Sequence, residues 1–301
     1  MSLIIGSHVS FNKEKQLLGC VEKTINYGAN AFMFYTGAPQ NTNRFVIDDN
    51  LTKQALNLMQ ENNIDFNYAF VHAPYIINLA NDKNKDFAIS FLKQEIKRCE
   101  QLGINKIILH PGNHVGLGLE TGINNIIKAL NEIINSEQKV IIYLETMSGK
   151  GTECGSRFEE LKQIIDGVIY KDKIMICFDT CHLHDAGYNL KEFSLLLEEF
   201  DQIIGLNKLG CIHLNDSKNL RSAKKDRHQN IGLGYIGFQT LLAITYHDKL
   251  INIPKILETP YITTDNKESY PPYKFEIKML KEKKINDTLI NDIKEFYKKT
   301  N

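Results

Sequence analysis

The sequence lacks an excess of charge of either sign. Its 301 residues include 36 Lys and Arg against 36 Asp and Glu, so the formal net charge is zero. With this balance, any contact with nucleic acid needs a locally basic face, because the overall composition is not basic. The length suits one large α/β domain or two ordinary ones, and it allows a sizeable core.

Paired cysteines and long apolar stretches are also missing. The six cysteines stand apart, without a CxxC pair, which is typical of reduced thiols in an intracellular protein and argues against a disulfide framework. The N-terminus runs directly into a short apolar run without a basic segment before it. Neither a signal peptide nor a membrane span is predicted, and we expect a cytoplasmic protein.

Short β-branched runs alternate with amphipathic segments along the chain. The eight runs are 3–7, 31–35, 66–71, 106–109, 140–144, 174–178, 210–214 and 254–257. Helix-like segments separate them, and two more follow, at 273–284 and 286–299. Eight such units in about 260 residues match a (β/α)8 TIM barrel better than an open doubly wound sheet. We therefore predict an α/β fold, with residues 1–301 forming a single barrel domain that carries a short appended C-terminal helix.

Metal-type side chains occur at the ends of six consecutive runs. In chain order they are His72, His110, Glu145, Asp179, His213 and Glu258. The carboxyl ends of barrel strands converge on one mouth, where the active sites of this fold lie. Imidazoles mixed with carboxylates, without cysteines, suit Zn²⁺ or Mn²⁺.

Three further candidate ligands lie in two neighbouring loops. His182 follows the sixth run, and Asp226 and His228 are separated by one residue after the seventh. The resulting nine ligands are too many for one ion and enough for two or three. Metals about 3.5–4 Å apart can clamp the attacking and leaving oxygens of a phosphoryl displacement. The composition of the site therefore predicts hydrolysis of a phosphate ester.

Several features near these ligands favour contact with DNA. The loop that carries Asp226 is basic, with Lys218, Arg221, Lys224, Lys225 and Arg227, which favours binding to a phosphate backbone. Tyr75 and Ile76, just beyond His72, can stack against bases or wedge between them, although packing of their own loop explains them equally well. The glycine-rich stretch 232–237 follows no strand directly, so a dinucleotide site is not expected. It predicts a tight loop that leads into a helix, where backbone amides can lie near a phosphate.

Nine short motifs resemble those of endonuclease IV. They are GSHVS at 6–10, YTGAPQNT at 35–42, HAPY at 72–75, LHPG at 109–112, LET at 144–146, FDTCH at 178–182, HLNDSK at 213–218, DRH at 226–228 and LET at 257–259. The match runs from about residue 3 to residue 283 and preserves the order of the motifs. The abundance of Asn, Ile and Lys also points to an AT-rich genome, such as that of a low-GC bacterium.

The resemblance implies a TIM barrel with a cluster of three zinc ions at its mouth, where Mn²⁺ can occupy one or more sites. One zinc would bind His72 and His110, a second would bind Asp179, His213 and Glu258, and Glu145 would bridge the two. The third would bind His182, Asp226 and His228. Glu145 and Glu258 would be the catalytic residues.

The implied substrate is double-stranded DNA that contains abasic sites or blocked 3′ ends, and we expect a monomer. Cleavage 5′ to an abasic site would leave a 3′-hydroxyl and a 5′-deoxyribose phosphate, and blocked 3′ ends would be trimmed. Tyr75 and Ile76 match the family loop that enters the minor groove. After strand two the family often has an intercalating Arg, and here either Gln40 or Arg44 takes that place. Lys218 and Arg227 are the expected contacts to the DNA backbone.

Two other functions are compatible with parts of the pattern. A xylose-isomerase-like sugar isomerase or epimerase needs only a mononuclear site, and it would not require His72, His110 or the Asp226–His228 pair. A non-catalytic protein that binds damaged DNA would use zinc structurally. Structural zinc sites are usually closed by four ligands, often cysteines, so the carboxylate-rich set argues against that function.

Overall fold

The computed structural model describes residues 3–264 and 266–300. Met1, Ser2, Asp265 and Asn301, which belong to the predicted domain, lie outside the described residues. Within the described part, eight parallel strands close into a barrel in the order β1-β8-β7-β6-β5-β4-β3-β2. The predicted TIM barrel is confirmed. The strands are β1 Ile5–His8, β2 Ala31–Phe34, β3 Ala69–His72, β4 Lys106–Leu109, β5 Ile141–Glu145, β6 Ile174–Asp179, β7 Leu209–His213 and β8 Lys255–Leu257.

Ten α-helices occur in the ranges 3–264 and 266–300, and most of them cover the outside of the barrel. They are α1 Gln16–Asn26, α2 Asp49–Glu61, α3 Lys85–Gln101, α4 Leu119–Ile133, α5 Phe158–Gly167, α6 Thr180–Ala186, α7 Phe193–Ile203, α8 Phe238–Thr245, α9 Tyr273–Glu282 and α10 Leu289–Thr300. The predicted helices agree with these to within a few residues, except that α6 was expected to be a loop. None of the helices in the described part is both long enough and apolar enough to cross a bilayer.

Local sequence explains where α6 begins and ends. The carboxylate of Asp179, the last residue of β6, accepts a hydrogen bond from the backbone N–H of His182 at 2.8 Å, which caps the helix N-terminus. Gly187 ends the helix with φ of 110°, a conformation that favours glycine. The helix spans only seven residues, so no amphipathic period is visible in the sequence.

The buried apolar side chains form two separate groups. The larger group lies between the barrel and its helices. The smaller group fills the barrel interior with Ile4, Ala31, Met33, Phe70, Ile108, Tyr143, Cys177, Cys211 and Ile256. Because side chains alternate across a strand, the residue two positions after an interior residue also faces inward, nearer the carboxyl end of its strand.

This alternation defines two successive rings of inward-facing residues. The inner ring consists of Gly6, Met33, Phe70, Ile108, Tyr143, Cys177, Cys211 and Ile256. Two residues further along each strand lies the mouth ring, which consists of His8, Tyr35, His72, His110, Glu145, Asp179, His213 and Glu258. Residues that pair across neighbouring strands face the same side of the sheet. His8 pairs with Met33 and Asp179 pairs with His213, so the strand register is consistent with both rings facing inward.

Candidate metal centre at the barrel mouth

Six members of the mouth ring were predicted as metal ligands from the sequence, and the structure brings them together. The Nε2 atoms of His72 and His110 each lie 3.1 Å from the same oxygen, Oε2 of Glu145. The other oxygen of Glu145 lies 3.0 Å from Nδ1 of His213, and that nitrogen is also 2.9 Å from Oε2 of Glu258. Asp179 completes the group, with its Oδ2 3.9 Å from Nδ1 of His213.

The three ligand candidates from the loops join the same cluster. The Nε2 atom of His182 lies 3.0 Å from Oδ1 of Asp226. The Nε2 atom of His228 lies 3.5 Å from that oxygen and 3.5 Å from Oδ2 of Asp179. All nine predicted ligands are therefore contiguous around the barrel axis.

The donor set fits divalent metal ions. Ligand atoms that share one tetrahedral zinc at 2.0–2.1 Å are about 3.3 Å apart, which matches the contacts of Glu145 with His72 and His110. Nε2 of His228 is buried and has no hydrogen-bond partner among the described residues, as expected of a nitrogen that is positioned to bind a metal ion. The His72–His110–Glu145 and His182–Asp226–His228 groups each have ligand atoms within 4.8 Å of one another.

The electrostatics of the cluster also favour cationic charge. In the described part of the chain, the four carboxylates pair with imidazoles, and none forms an ion pair with Lys or Arg. Burial alone would raise the pKa of Glu145, but the imidazoles of His213 and His110 outweigh it and hold this pKa well below its usual range. Asp226, where burial also opposes ionisation, has its pKa lowered to about 2, chiefly by His182.

The pKa values of the imidazoles move in the complementary direction. Burial alone would lower the pKa of His213, yet the charges of Glu258 and Glu145 raise it well above its ordinary value. Burial likewise disfavours the charged form of His182, but Asp179 and Asp226 raise its pKa. Each shift arises because a nearby opposite charge outweighs desolvation. The site is therefore organised to stabilise positive charge between its carboxylates.

Neutral backbone and side-chain groups fix the orientation of several candidate ligands. The carbonyl oxygen of Thr146 lies 2.8 Å from Nδ1 of His182, which leaves Nε2 free to face Asp226. Asn215 donates from Nδ2 to Oδ2 of Asp179 at 2.7 Å, and its Oδ1 accepts from the backbone N–H of Glu258 at 2.8 Å. Such contacts set tautomer and ring orientation at metal sites.

A buried carboxylate that the sequence analysis did not identify holds the loop with Asp226. Asp185, on α6, accepts from Oγ of Ser217 at 2.7 Å, from Nδ2 of Asn219 at 2.8 Å and from the backbone N–H of Asp226 at 2.9 Å. Asp226 itself has φ of 54°, a conformation that costs a non-glycine residue energy. The contact with Asp185 offsets that cost. No local pattern marks Asp185, because its partners lie more than 30 residues away.

The glycine-rich loop leads into helix α8, as predicted, but its backbone amides face a carboxylate of the protein rather than a phosphate. The backbone N–H groups of Gly232, Gly234 and Ile236 donate to the Asp216 carboxylate at 3.1, 3.0 and 2.9 Å. An internal carboxylate thus occupies the place expected for a phosphate. A side chain at Gly234 would put Cβ 2.4 Å from the carbonyl oxygen of Ser217, so this close approach requires glycine.

The predicted DNA contacts differ in how accessible they are. Tyr75 is 54% exposed, whereas Ile76 is half-buried and packs against the outer core. Lys218 and Arg227 are exposed, as are Arg221, Lys224 and Lys225. In the described ranges, none of these five cations forms an ion pair, so the whole basic loop is available to an anionic partner.

The structure does not support Arg44 as a DNA contact. Its side chain is 3% exposed, and its Nε lies 2.6 Å from Oε1 of the buried Glu95. Arg44 also donates from Nη1 to the carbonyl oxygen of Asn43 at 2.8 Å, so it organises its own loop from inside. Gln40, in the same loop, is exposed.

Comparison with known proteins places these features in a family. Residues 21–283 match the family model described as "Xylose isomerase-like TIM barrel". "Probable endonuclease 4" of Bacillus subtilis is 53% identical over 295 residues, which cover 97% of this chain and 99% of that protein. The protein of the same name from Staphylococcus epidermidis is 52% identical over 298 residues, with 97% and 99% covered.

Solved structures with this fold include both nucleases and sugar enzymes. Endonuclease IV from Thermus thermophilus superposes with a TM-score of 0.76 at 25% identity, covering 92% of this chain and 97% of that one. A D-tagatose 3-epimerase-like protein superposes with a TM-score of 0.65 at 21% identity, covering 97% and 99%. The second similarity concerns the fold alone.

Proposed function

This chain belongs to the endonuclease IV family of xylose isomerase-like TIM barrels, and from that premise we propose that it is a zinc-dependent DNA-repair endonuclease. It hydrolyses the phosphodiester 5′ to abasic sites, leaves a 3′-hydroxyl and a 5′-deoxyribose phosphate, and trims blocked 3′ ends. The observation that carries the proposal is the convergence of five imidazoles and four carboxylates at the barrel mouth. Full-length identity of about 52% with proteins named endonuclease 4 supports it.

The nine side chains divide among three zinc ions in our proposal. His72 and His110 hold the first ion, Asp179, His213 and Glu258 hold the second, and Glu145 joins both. His182, Asp226 and His228 hold the third. Mn²⁺ can replace zinc at one or more positions, because imidazole and carboxylate ligands suit both metals.

When bound, the metal ions supply Lewis-acid stabilisation of phosphate charge and lower the pKa of a water toward neutrality. In the hydrolysis, a water oxygen bonds to phosphorus, the P–O3′ bond breaks, and the 3′ oxygen leaves and takes up a proton. Glu145 and Glu258 are the catalytic carboxylates of the proposal. Glu145 accepts contacts from His72, His110 and His213 and thereby holds the two halves of the site together.

The part of the site that is open to solvent faces the proposed DNA surface. The side chains of Asp226, His110 and His228 are 29%, 27% and 20% exposed, whereas that of Glu145 is 1% exposed. The basic loop continues from Asp226, so its cations can bind the backbone on either side of a phosphate at the mouth. Lys218 and Arg227 make such contacts in our proposal.

Exposed Tyr75 supplies an aromatic face for a base, and Gln40 enters the duplex from the β2 loop. Half-buried Ile76 shapes the loop beneath Tyr75. Extrusion of a nucleotide is cheapest where no base has to be unstacked, which favours abasic sites. We propose that residues 1–301 act as one domain, as a monomer, in the cytoplasm.

The sugar isomerase or epimerase is the second candidate, because that class shares the fold. A mononuclear site of Glu145, Asp179, His213 and Glu258 would serve it. It would leave His72, His110, His182, Asp226 and His228 without a task, although all five contact the same cluster. The nuclease accounts for every member.

The test is cleavage of a duplex that carries one tetrahydrofuran abasic analogue, with the metal content measured on the same preparation. The analogue cannot undergo β-elimination, so a nick on its 5′ side that leaves a 3′-hydroxyl identifies hydrolysis. We expect cleavage with about three zinc ions per chain. An intact duplex and a single bound divalent ion would instead favour the sugar enzyme.

A further inference from the structure

The β2 loop, residues 36–46, exposes uncharged side chains at the rim of the mouth. It follows the mouth-ring residue Tyr35 directly, so it lies at the carboxyl end of the barrel. Arg44 is its one charged residue, and that side chain is buried. The exposed side chains are those of Ala38, Gln40, Thr42, Asn43 and Val46. Amide groups can pair with base edges in a groove of DNA, and between residues 36 and 46 there is no exposed cation for a phosphate.

Two buried residues of α3 hold both ends of this loop. Glu95 and Arg98 are one helical turn apart and therefore share a face of the helix. The two oxygens of Glu95 accept from Nε of Arg44 and from Oγ1 of Thr36, each at 2.6 Å. Arg98 donates to the carbonyl oxygens of Thr36 and Phe45 at 3.1 and 2.9 Å. The first and the next-to-last residues of the loop are thus fixed to one helix.

Arg44 fixes the middle of the loop from inside. Its Nη1 atom lies 3.4, 3.2 and 2.8 Å from the carbonyl oxygens of Ala38, Asn41 and Asn43. The loop wraps closely around the guanidinium, since a Cβ atom at Gly37 would lie 2.7 Å from Nη1. The exposed side chains of the loop are therefore carried by a backbone whose course is set by one buried cation.

The burial of these charges makes the arrangement depend on Glu95. The side chains of Arg44 and Glu95 are 3% and 0% exposed, and burial lowers the pKa of Arg98, because desolvation disfavours the charged form. Five of the six guanidinium nitrogens of the two arginines have hydrogen-bond partners, and Nη2 of Arg44 has none among the described residues. Without the Glu95 carboxylate, Arg44 would be a buried cation that lacks a counter-charge, which is costly. The loop would then have to open to hydrate it.

We propose that Glu95, Arg98 and Arg44 are positioning residues for DNA binding, an inference that rests on the proposed function. Before DNA is bound, they hold the β2 loop in the conformation that enters a groove beside the abasic site. Gln40 and Asn43 then reach base edges without the loop having to be ordered at that step. A loop that is already ordered loses less conformational entropy on binding, so the network contributes affinity without touching DNA.

Glu95→Gln tests the network, because it preserves the shape of the side chain and removes its charge. We expect KM for a duplex with one tetrahydrofuran site to rise about 10-fold, with kcat and zinc content unchanged. A variant that merely misfolds would instead lose active protein, which lowers kcat and leaves KM unchanged. Steady-state cleavage, metal analysis and circular dichroism on the same preparation separate these cases.

Arg44→Lys keeps the charge opposite Glu95 but replaces the planar fork, whose donors reach several carbonyl oxygens, with a single amine. KM should rise here as well. Because the charge balance is kept, this variant tests the inference even if Glu95→Gln does not fold. In the double variant Glu95→Gln/Arg44→Gln, KM should be no higher than in Glu95→Gln alone, since effects within one network are not additive. Multiplied effects would show that the two residues act independently, and would overturn the proposal.

Salt distinguishes a groove contact from a phosphate contact. Contacts between cations and phosphates weaken as the salt concentration rises, so Lys218→Ala should make KM less dependent on salt. The β2 loop offers no such cation in the proposal, and the ratio of KM between Glu95→Gln and the wild type should therefore be the same at low and high salt. A ratio that shrinks with added salt would show that Arg44 reaches a phosphate, which contradicts a positioning role.

Glu132→Gln is the matched control. Glu132 pairs with Lys85 and Lys93 of α3, at 3.5 and 3.9 Å, on an exposed surface, and loss of its charge should change neither KM nor kcat. Equal KM values for Glu95→Gln and the wild type would refute this inference alone. A wild-type protein that leaves the duplex intact would refute the proposed function, and this inference with it.

Discussion

The mouth ring and the inner ring lie two residues apart on the same eight strands, yet their compositions are opposite. The inner ring has apolar side chains, two thiols, one tyrosine and one glycine, and it belongs to the barrel core. The mouth ring has four imidazoles, three carboxylates and one phenol. One ring contributes stability by burial. The other concentrates groups that are costly to bury unless they are paired.

This comparison shows how the fold separates stability from chemistry. Inward-facing residues recur every two positions along a strand. One such residue can therefore pack in the core while the next, two positions later, takes part in catalysis. Tyr143 and Cys177 lie two residues before Glu145 and Asp179 on the same strands. Their packing in the barrel core anchors the backbone that carries the two carboxylates. Changes in one ring should therefore affect stability, and changes in the other should affect activity.

The largest expected effect comes from breaking the charge pattern of the mouth ring. Glu145→Gln or Glu258→Gln keeps the shape but removes the charge of a proposed anionic ligand, so cleavage of abasic DNA should fall on the order of 10³-fold. Folding and DNA affinity should remain close to those of the wild type. Circular dichroism, DNA binding and single-turnover cleavage would check this, and lost binding with normal turnover per complex would contradict the assigned role.

Removing the metals should be the next largest effect, and it should depend on pH. At free zinc 1,000 times the dissociation constant, linkage stabilises the folded state by about 4 kcal/mol for one site, and a chelator removes that contribution. The raised pKa values of His182 and His213 mean that metal competes with bound protons. Affinity should therefore fall as the pH is lowered.

Calorimetry in two buffers of different ionisation enthalpy measures the protons released on binding. Zinc binding with no proton release near neutral pH would show that these imidazoles are not ligands.

Ile256→Ala in the inner ring should have the reverse profile, with stability lost and chemistry kept. Ile256 is fully buried, two residues before Glu258, and truncation of such a side chain costs about 2–5 kcal/mol of unfolding free energy. Denaturant unfolding and kcat at a temperature where the variant is folded are the two measurements. Leu195→Ala, at a position that is 60% exposed, is the control and should change stability by less than ~0.5 kcal/mol.

Glu276 offers a second electrostatic comparison, because it is buried like Glu145 but has no imidazole beside it. It accepts from the backbone N–H of Ile231 at 2.9 Å, from Nδ2 of Asn230 at 3.1 Å and from the hydroxyl of Thr259. Burial raises its pKa from 4.5 to about 7. Two equally buried carboxyl groups thus have pKa shifts of opposite sign, depending on whether imidazoles lie beside them.

The raised pKa fixes the sign of a pH dependence. Between pH 4.5 and about 7 the folded state binds more protons at Glu276 than the unfolded chain does. The contribution of Glu276 to stability is therefore fully present below pH 4.5 and is lost as the pH rises through 7. Glu276→Gln cannot titrate, so its stability relative to the wild type should increase across that window.

Unfolding curves at pH 5 and pH 8 measure this difference. Glu282→Gln, at an exposed position of the same helix, should show no such change. If the two variants behave alike, the pKa of Glu276 is not raised by its surroundings.

Much of the site was predictable because its signal is periodic along the chain. Each proposed ligand of the mouth ring lies at the end of a short apolar run, and the runs recur about one βα unit apart. The parallel barrel then converts regular spacing in sequence into proximity in space. Helix α6 was missed because seven residues show no period.

The functions of Arg44, the glycine-rich loop and Asp185 could not be predicted in this way. Arg44 looks like a surface cation until Glu95, 51 residues away, is placed against it. The amides of the glycine-rich loop look free for a phosphate until Asp216 is brought beneath them. In each case the deciding partner is distant in sequence, and no local pattern records it.

The barrel, the types of candidate ligand and the position of the mouth could be predicted from the sequence alone, because alternation and recurrence are properties of the chain. Only the tertiary structure shows which polar groups face the mouth without a partner and which form hydrogen bonds or ion pairs within the protein. Nε2 of His8, which has no hydrogen-bond partner among the described residues, belongs to the first class, and Arg44 and Asp216 belong to the second. The physical reason is that hydrogen bonding and desolvation depend on neighbours in space, which only the closed barrel brings together.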